Sequence, residues 1–292
     1  MKYRFIIAFF HLMARLPLRL SRALGRLLGS LAWVFGSRMR KVTLTNIALC
    51  FPELDLQAQR SLARESLRHT FMTLTETGAV WLWPGARSLG LIQEVEGKGL
   101  LEEAKAQGKG VIVLAPHLGN WEMVGLYLNA CGLGPSFQLY QAPADAQLAA
   151  LILKARSRLG ATMVATDNKG VAELLRALRT GHIAGILPDQ VPGEAGGQHA
   201  PFFAQPALTM TLLNRLQQKT GAIVVAAFAE RIAGGFKLHL QAPDAGIYAA
   251  DMEEALAGLN RSVEQLVRLA PVQYQWEYKR FRRPPAGQPS VY

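Results

Sequence analysis

The chain has 292 residues, of which 50% are hydrophobic and 18% charged, which predicts a substantial buried core and excludes a disordered protein. Its 32 Lys and Arg residues against 21 Asp and Glu residues give a net charge of +11, which favours an anionic partner: nucleic acid, a phospholipid headgroup or an acidic protein. Two cysteines, Cys50 and Cys131, are too few for a disulfide framework and indicate a reducing, cytosolic environment.

The amino-terminal segment is basic and amphipathic. Residues 1–52 carry nine Lys and Arg residues and no Asp or Glu. On a helical wheel one sector is basic and outward-facing and holds Arg4, His11, Arg15, Arg19, Arg22 and Arg26, and Leu and Phe residues occupy the other side. This pattern predicts a membrane-anchoring helix over residues 1–40, lying in a membrane interface and divided at Pro17. A core-facing helix with a solvated basic face is the alternative. A membrane-spanning helix is disfavoured because Arg15 interrupts the apolar run. A signal peptide is disfavoured because no cleavage site follows that run. The catalytic part of the chain is therefore expected on the cytoplasmic side of the membrane.

Residues 41–292 are predicted to form one α/β domain, with a helical lead-in (41–95), a catalytic core (96–280) and a basic carboxyl-terminal tail. A helix over residues 57–83 ends at Pro84 and Gly85. Beyond it the pattern predicts strands at 111–116, 136–140, 161–164, 183–187, 222–228 and 236–240, and helices at 100–107, 146–159, 169–179, 209–219 and 252–269. This alternation predicts a three-layer αβα sandwich around a mixed, mostly parallel sheet, with an irregular tail.

The string HLGNWE directly follows the buried strand at 111–116 and contains His117 and Glu122. Catalytic groups of open α/β sheets gather at the carboxyl ends of strands. Gly119 permits a tight turn and Asn120 suits an N-cap, so a helix is expected to start at Trp121. This turn is expected to fold the Glu122 carboxylate back onto the imidazole, which then acts as a general base toward an alcohol. The pattern alone leaves a structural histidine open.

The string HLGNWE resembles the His-x4-Asp/Glu motif of glycerolipid-type acyltransferases of the lysophospholipid acyltransferase superfamily. The chain as a whole resembles the late lipid A acyltransferases, the lauroyl and myristoyl transferases of bacterial endotoxin synthesis. Further strings that match that family in order are NIALCFPEL, RLG, GILPDQ, PFFAQPALT, TGAIVV and QWEYKRFRRPP. The resemblance extends over nearly the whole chain.

The resemblance implies a role for particular residues. His117 matches the catalytic base, Glu122 its partner, and Arg158 a basic position that stabilises the oxyanion or binds acceptor phosphate; a solvated helix face is the alternative for Arg158. The residues expected to bind substrate are Asn120, Tyr140, Asp189 and Gln190. A simple turn after Pro188 is the alternative for the last two. The basic tail residues that are candidates for contact with lipid phosphate are Lys279, Arg280, Arg282 and Arg283.

The resemblance also implies the reaction and its participants. The donor is an acyl thioester on acyl carrier protein, and the acceptor is the hydroxyl of a 3-hydroxyacyl chain on a phosphorylated glucosamine disaccharide. No metal and no cofactor are expected, and the protein is placed at the cytoplasmic face of the inner membrane. Two positions depart from the family: Gln141 follows Tyr140 where Arg is frequent, and Ala204 stands where Gly is common.

Other functions fit the sequence less well. Within acyltransferases, a lysophospholipid, a glycolipid or a polyene lipid is an alternative acceptor. A serine esterase is disfavoured because no complete Gly-x-Ser-x-Gly string is present. A nucleic-acid-binding module explains the net charge but predicts basic residues interleaved with aromatics, and here the charge lies on an apolar-backed helix, so no nucleic acid is expected. A non-catalytic membrane scaffold leaves the His–Glu pair and the PDQ string unexplained.

Overall fold

The computed structural model describes residues 2–292. The α-helices are α1 (Lys2–Arg15), α2 (Leu18–Val34), α3 (Arg38–Cys50), α4 (Leu56–Leu82), α5 (Gly85–Leu89), α6 (Lys98–Ala106), α7 (Trp121–Ala130), α8 (Ala146–Arg156), α9 (Asn168–Arg179), α10 (Leu212–Thr220) and α11 (Met252–Leu269). The strands are β1 (Ile92–Glu96), β2 (Val111–Leu114), β3 (Ser136–Tyr140), β4 (Thr162–Ala165), β5 (Ile183–Ile186), β6 (Gly197–Phe202), β7 (Gln205–Met210), β8 (Ile223–Ile232) and β9 (Gly235–Gln241).

A seven-stranded sheet forms the centre of the described chain, in the order β1-β9-β8-β2-β5-β3-β4. The strands from β8 to β4 in this order run parallel to one another, and β9 pairs with β8 antiparallel. The prediction of an α/β fold around a mixed, mostly parallel sheet is therefore confirmed. Strand β1 escaped prediction because its side chains are exposed or half-buried and give no apolar run.

The sheet is covered by helices on both faces. Alternate residues of β2 belong to different buried clusters: Ile112 and Leu114 pack with side chains of α9, α10 and α11, and Val111 and Val113 with those of α6 and α7. Because side chains alternate across a strand, a strand with two buried faces is apolar at every position. This is the reason why the uninterrupted run at β2 predicted a central strand.

Helix α2 packs against α4 largely through small residues. The buried residues of α2 are Leu18, Ser21, Gly25 and Gly29. A Cβ on Gly29 would lie 2.5 Å from the Cα of Arg68, so α2 approaches the backbone of α4 too closely for any side chain. The prediction that Arg22 shares an outward basic stripe is wrong: it is half-buried and donates to the carbonyls of Ile232 and Gly235 at 2.6 and 2.8 Å. Among the described helices, none combines the length and apolar character needed to cross a bilayer.

A separate antiparallel hairpin, β6–β7, occupies part of the string PFFAQPALT and replaces the start of the helix predicted over 209–219. Its two-residue turn, Phe203 and Ala204, has φ values of 46° and 61°. Turns of this kind need positive φ at both central residues and therefore favour glycine, so Ala204 stands at a position where glycine is the less strained residue. The two strands were not predicted because each contains a proline, Pro201 or Pro206, and proline is rare in sheet interiors. The two prolines lie opposite each other in the hairpin.

Residues 281–292 form no helix or strand, as predicted. The expectation that Arg280 reaches lipid phosphate is wrong, because its side chain is only 3% exposed. The guanidinium donates to the carbonyl of Leu208 at 2.6 Å and to the hydroxyl of Thr209 at 2.9 Å. Arg280 therefore fastens the carboxyl-terminal segment to the β6–β7 hairpin.

Candidate active site

His117 lies just beyond the carboxyl end of β2, on the turn that leads into α7. Gly119 within this turn has a φ of 62°, and a Cβ there would lie 2.0 Å from the carbonyl oxygen of Ala229. Only glycine tolerates both conditions. The predicted tight turn and the helix start at Trp121 are confirmed, and the Trp121 ring packs edge-on against the imidazole with centroids 4.8 Å apart.

Both nitrogens of the His117 ring have a partner. Nδ1 lies 2.8 Å from Oδ1 of Asp189, whose Oδ2 accepts the backbone N–H of His117 at 2.9 Å. Nε2 lies 3.2 Å from the amide nitrogen of Gln190. Since an ionised carboxylate only accepts and an amide NH₂ only donates, this arrangement assigns the proton to Nδ1 and leaves the lone pair on Nε2. Nε2 is thereby prepared to take a proton.

The prediction that Glu122 folds back onto the imidazole is wrong. Glu122 lies in the first turn of α7, and its carboxylate is bonded to other residues than His117. It accepts hydrogen bonds from the guanidinium of Arg156, with Nε at 3.0 Å, and from the indole N–H of Trp81 at 3.0 Å. Burial by itself raises the pKa of Glu122, but the charge and hydrogen bonds of Arg156 outweigh it and hold that pKa below its ordinary value. Glu122 and Arg156 thus form a buried ion pair beside the histidine.

Strand register explains why Asp189 is the partner of His117. β2 and β5 are parallel neighbours in which Leu114 pairs with Ile186. His117 and Asp189 each follow the last strand residue by three positions, so the two loops carry them to the same level. Asp189 and Gln190, which were expected to bind substrate, both contact the His117 ring, and their contact with substrate stays a prediction. Strand adjacency, which decides between Asp189 and Glu122, is not visible in a single sequence.

Asp189 is held in its charged form although its side chain is buried. Burial alone raises the pKa of Asp189, but the nearby imidazole, its hydrogen bond and the backbone N–H of His117 together bring that pKa below its ordinary value. Tyr274 lies against the same carboxylate, and burial followed by the Asp189 charge raises the pKa of its hydroxyl well above the ordinary value. The carboxylate therefore stays ionised and the phenol stays protonated at neutral pH.

Arg158 follows α8 in a short 3-10 helix, Arg158–Gly160. The helix predicted to run to residue 159 ends earlier because Leu159 has a φ of 63°. The guanidinium of Arg158 donates to the carbonyls of Val80 and Trp83 at the end of α4, and its Nε donates to the carbonyl of Ala155 near the end of α8 at 2.9 Å. Such contacts satisfy carbonyls that a helix end leaves without partners. The structure gives Arg158 an anchoring role, and its predicted catalytic role stays a prediction.

The two other residues expected to bind substrate lie differently. Asn120 precedes α7, but its side chain does not cap that helix; it is fully buried and donates to Glu76 Oε2 at 3.1 Å. The prediction that Asn120 contacts substrate is not supported by this placement. Tyr140 ends β3, its hydroxyl donates to the carbonyl of Ala149 at 3.2 Å, and its ring lies 5.9 Å from the Arg156 guanidinium carbon. A substrate contact by Tyr140 stays a prediction.

A cavity of about 580 Å³ opens beside the histidine, in the size range of small-molecule sites. Its polar wall includes His117, Gln190, Glu122, Arg156 and Arg158. Its apolar wall includes Ala115, Val124, Leu126, Leu128, Leu139 and Leu187, which come from α7 and the facing sheet. An amphipathic ligand with an apolar chain and a polar end fits such a lining.

The sequence of the chain is similar to those of known bacterial acyltransferases. The family model described as bacterial lipid A biosynthesis acyltransferase matches residues 2–283. The lipid A biosynthesis palmitoleoyltransferase of Escherichia coli (strain K12) is 31% identical over 288 residues, covering 96% of this chain and 91% of that protein. The lauroyltransferase of the same organism is 31% identical over 287 residues with the same coverage, and the myristoyltransferase is 26% identical over 269 residues, covering 90% and 81%.

Proposed function

This chain belongs to the bacterial lipid A biosynthesis acyltransferase family, and from that premise we propose that it transfers a fatty acyl chain from acyl carrier protein to a hydroxyl of a lipid A precursor, with His117 as general base. The observation that carries the proposal is the His117 ring itself. Its Nδ1 is held by Asp189 at 2.8 Å and its Nε2 faces a cavity with an apolar wall.

The proposed reaction is a direct transfer. Nε2 of His117 removes the proton of the acceptor hydroxyl as the oxygen attacks the thioester carbonyl. The carbon–sulfur bond then breaks, the new ester keeps the acyl chain, and the proton on Nε2 passes to the departing thiolate. Asp189 fixes the tautomer and stabilises the imidazolium that forms between these steps. Asp189 thus takes the role that the sequence assigned to Glu122.

Two neighbouring residues complete the proposed site. The Gln190 amide stands 3.2 Å from Nε2 and also 3.3 Å from Oε1 of Gln275, so it occupies the position that the acceptor hydroxyl takes when bound. Arg158 has five N–H donors, of which three contact carbonyl oxygens. Arg158 lines the cavity, and its two remaining N–H groups are assigned to the oxyanion or to a phosphate of the acceptor.

The charge of the chain supports the proposed partners. A protein of net charge +11 attracts an acidic carrier protein and a phosphorylated lipid, and such attraction speeds association. The acceptor's phosphates and the donor's acidic surface are thus both complementary to it. No nucleic-acid partner is proposed.

An exposed apolar stripe on α1 and α2 supports placement at the cytoplasmic face of the inner membrane. The outward-facing residues of the stripe are Phe5, Leu12, Leu20, Leu27, Leu31, Val34 and Phe35. Arg4, Arg15 and Arg19 are also exposed on these helices. A helix surface that presents apolar side chains beside cations lies in the headgroup region of an anionic bilayer, where each cation contributes roughly 1 kcal/mol.

Replacing two leucines of this stripe, Leu27→Glu with Leu31→Glu, is expected to weaken binding to anionic phospholipid vesicles at least about tenfold, because apolar area is lost and like charge is added. Vesicle co-sedimentation measures the effect. Leu269→Glu on α11 is the matched control, since Leu269 is 55% exposed and Leu27 56%. Equal vesicle binding by the wild type and the double variant would remove the stripe from the proposal.

The proposed activity is tested with purified protein, acyl carrier protein loaded with single acyl chains, and lipid A precursors that lack secondary chains. The expected product is a precursor heavier by one acyl group, detected by mass spectrometry. A lysophospholipid offered in the same tubes tests the alternative acceptor. Acylation of the lysophospholipid with none of the lipid A precursor, or of neither, would overturn the proposed function.

A further inference from the structure

Two of the glycines that line the cavity lie inside a regular helix or strand, where the backbone itself does not require glycine. Gly125 is inside α7 and Gly185 is inside β5, and neither has a positive φ. Glycine inside a helix costs about 1 kcal/mol relative to alanine, and inside a strand it marks a close approach or a bound ligand. Both positions face the space between α7 and the sheet, so their missing side chains keep this space open.

The side chain of Gln138 closes that space. A Cβ added to Gly125 would lie 2.8 Å from Oε1 of Gln138, and one added to Gly185 would lie 3.6 Å from its Cγ. Gln138 stands on β3 beside Gly185, with which it is paired in the sheet. The amide therefore lies across the gap that the two glycines leave.

Gln138 is fixed by hydrogen bonds. Its Nε2 donates to the carbonyl of Gly125 at 3.1 Å and to Oδ1 of Asn129 at 2.9 Å. Asn129 is itself held, because its Nδ2 donates to the carbonyls of Arg156 and Arg158 at 3.2 and 3.1 Å. Ser136 donates to the same Oδ1 at 2.5 Å. A chain that extends further has to break bonds of an anchored amide and to leave polar groups without partners.

We propose that Gln138, lying against Gly125, is the floor of the acyl-chain pocket and sets the longest saturated chain that the protein accepts. The identification of the ligand as an acyl chain rests on the proposed function. The walls above the floor, at Val124 and Leu187, are apolar and suit methylene groups. The polar amide at the floor makes no favourable contact with a further methylene group, so the pocket discriminates between acyl chains by their length.

Three variants test the floor. Gly125→Ala raises it, since the new Cβ meets the end of the Gln138 side chain, and is expected to reduce use of the longest chain that the wild type accepts at least about tenfold relative to shorter ones. Gln138→Ala lowers the floor and is expected to shift the preference toward longer chains. Gly99→Ala is the control, because Gly99 lies on α6, where an added Cβ meets only Glu103 Oε1 at 3.8 Å.

Two readouts separate this inference from the proposed function. The first is a competition among saturated acyl carrier protein donors, from octanoyl to octadecanoyl, with a single lipid A precursor. The second needs no catalysis: native mass spectrometry of the protein with an equimolar mixture of the free fatty acids of the same lengths. The proposal is supported, in either readout, if Gly125→Ala shifts the preferred chain length downward and Gln138→Ala shifts it upward while Gly99→Ala keeps the wild-type preference. The proposal is overturned if Gly125→Ala and Gln138→Ala bind fatty acids with the same length preference as the wild type, whether or not transfer to lipid A occurs.

Discussion

Replacing His117 by alanine is expected to lower acyl transfer by about 10³-fold or more, with the fold intact. A positioned general base contributes on the order of 10² to 10⁴ to a rate, and here the same imidazole also returns the proton to the leaving group. The ring lines the cavity and its side chain is 14% exposed, so its removal leaves the buried core in place. The measurement is the initial rate of product formation at saturating donor, together with the melting temperature.

His182→Ala is the matched control for this variant. His182 precedes β5 at the opposite end from Asp189, and its ring stacks on Phe137 with centroids 5.7 Å apart. Its replacement is expected to leave turnover near the wild-type value. A His117→Ala protein that is folded and retains more than about a tenth of the wild-type rate would exclude the imidazole as the base.

Replacing Glu76 by glutamine is expected to produce the largest loss of stability, about 3–5 kcal/mol, because it leaves buried cations without a counter-charge. Glu76 has no exposed surface and accepts two hydrogen bonds from Arg231, at 2.7 and 2.6 Å, and one from Arg22 at 2.6 Å. This network joins α2, α4 and the end of β8. Urea unfolding measures the loss, and Glu65→Gln, in a partly exposed ion pair with Arg26, is the control expected to change stability by less than about 1 kcal/mol.

The same carboxylate predicts a pH dependence. Burial alone raises the pKa of Glu76, but Arg231 and then Arg22 outweigh it and lower that pKa below the ordinary value. A carboxyl group with a lowered folded-state pKa stabilises the protein above its unfolded pKa of about 4.3, and this contribution disappears as the pH falls toward the folded-state value. The stability difference between wild type and Glu76→Gln is therefore expected to be largest near neutral pH and to shrink in acid. A difference that grows in acid would contradict this account.

The features that were predicted correctly are those encoded by residues close together in the sequence. The apolar run before His117, the glycine at 119 and the helix start at Trp121 all reside within a dozen consecutive residues, and all three were found. The sheet strands with two buried faces were found for the same reason, since an unbroken apolar run is visible without knowledge of the neighbours.

What the sequence failed to predict depends on neighbours that are distant in the chain. Glu122 was chosen over Asp189 because it is close in sequence, but the β2–β5 register brings the distant residue to the ring. Arg22 looked like a member of an exposed stripe, but a carboxylate 54 positions away, on α4, draws it inward. Arg156, the counter-charge of Glu122, was overlooked because nothing in its local sequence separates it from a solvated helix residue.

The central claim is that Asp189 acts on the reaction through His117, and the rate of the double variant Asp189→Asn, His117→Ala tests it most directly. Asp189→Asn alone places an amide NH₂ against ring and backbone donors and is expected to lower turnover about a hundredfold or more. If the pair acts as one unit, the double variant is expected to be no slower than His117→Ala alone, within about threefold. Losses that multiply, so that the double variant is slower by the product of the two single effects, would show that Asp189 acts independently of the imidazole and would contradict the account.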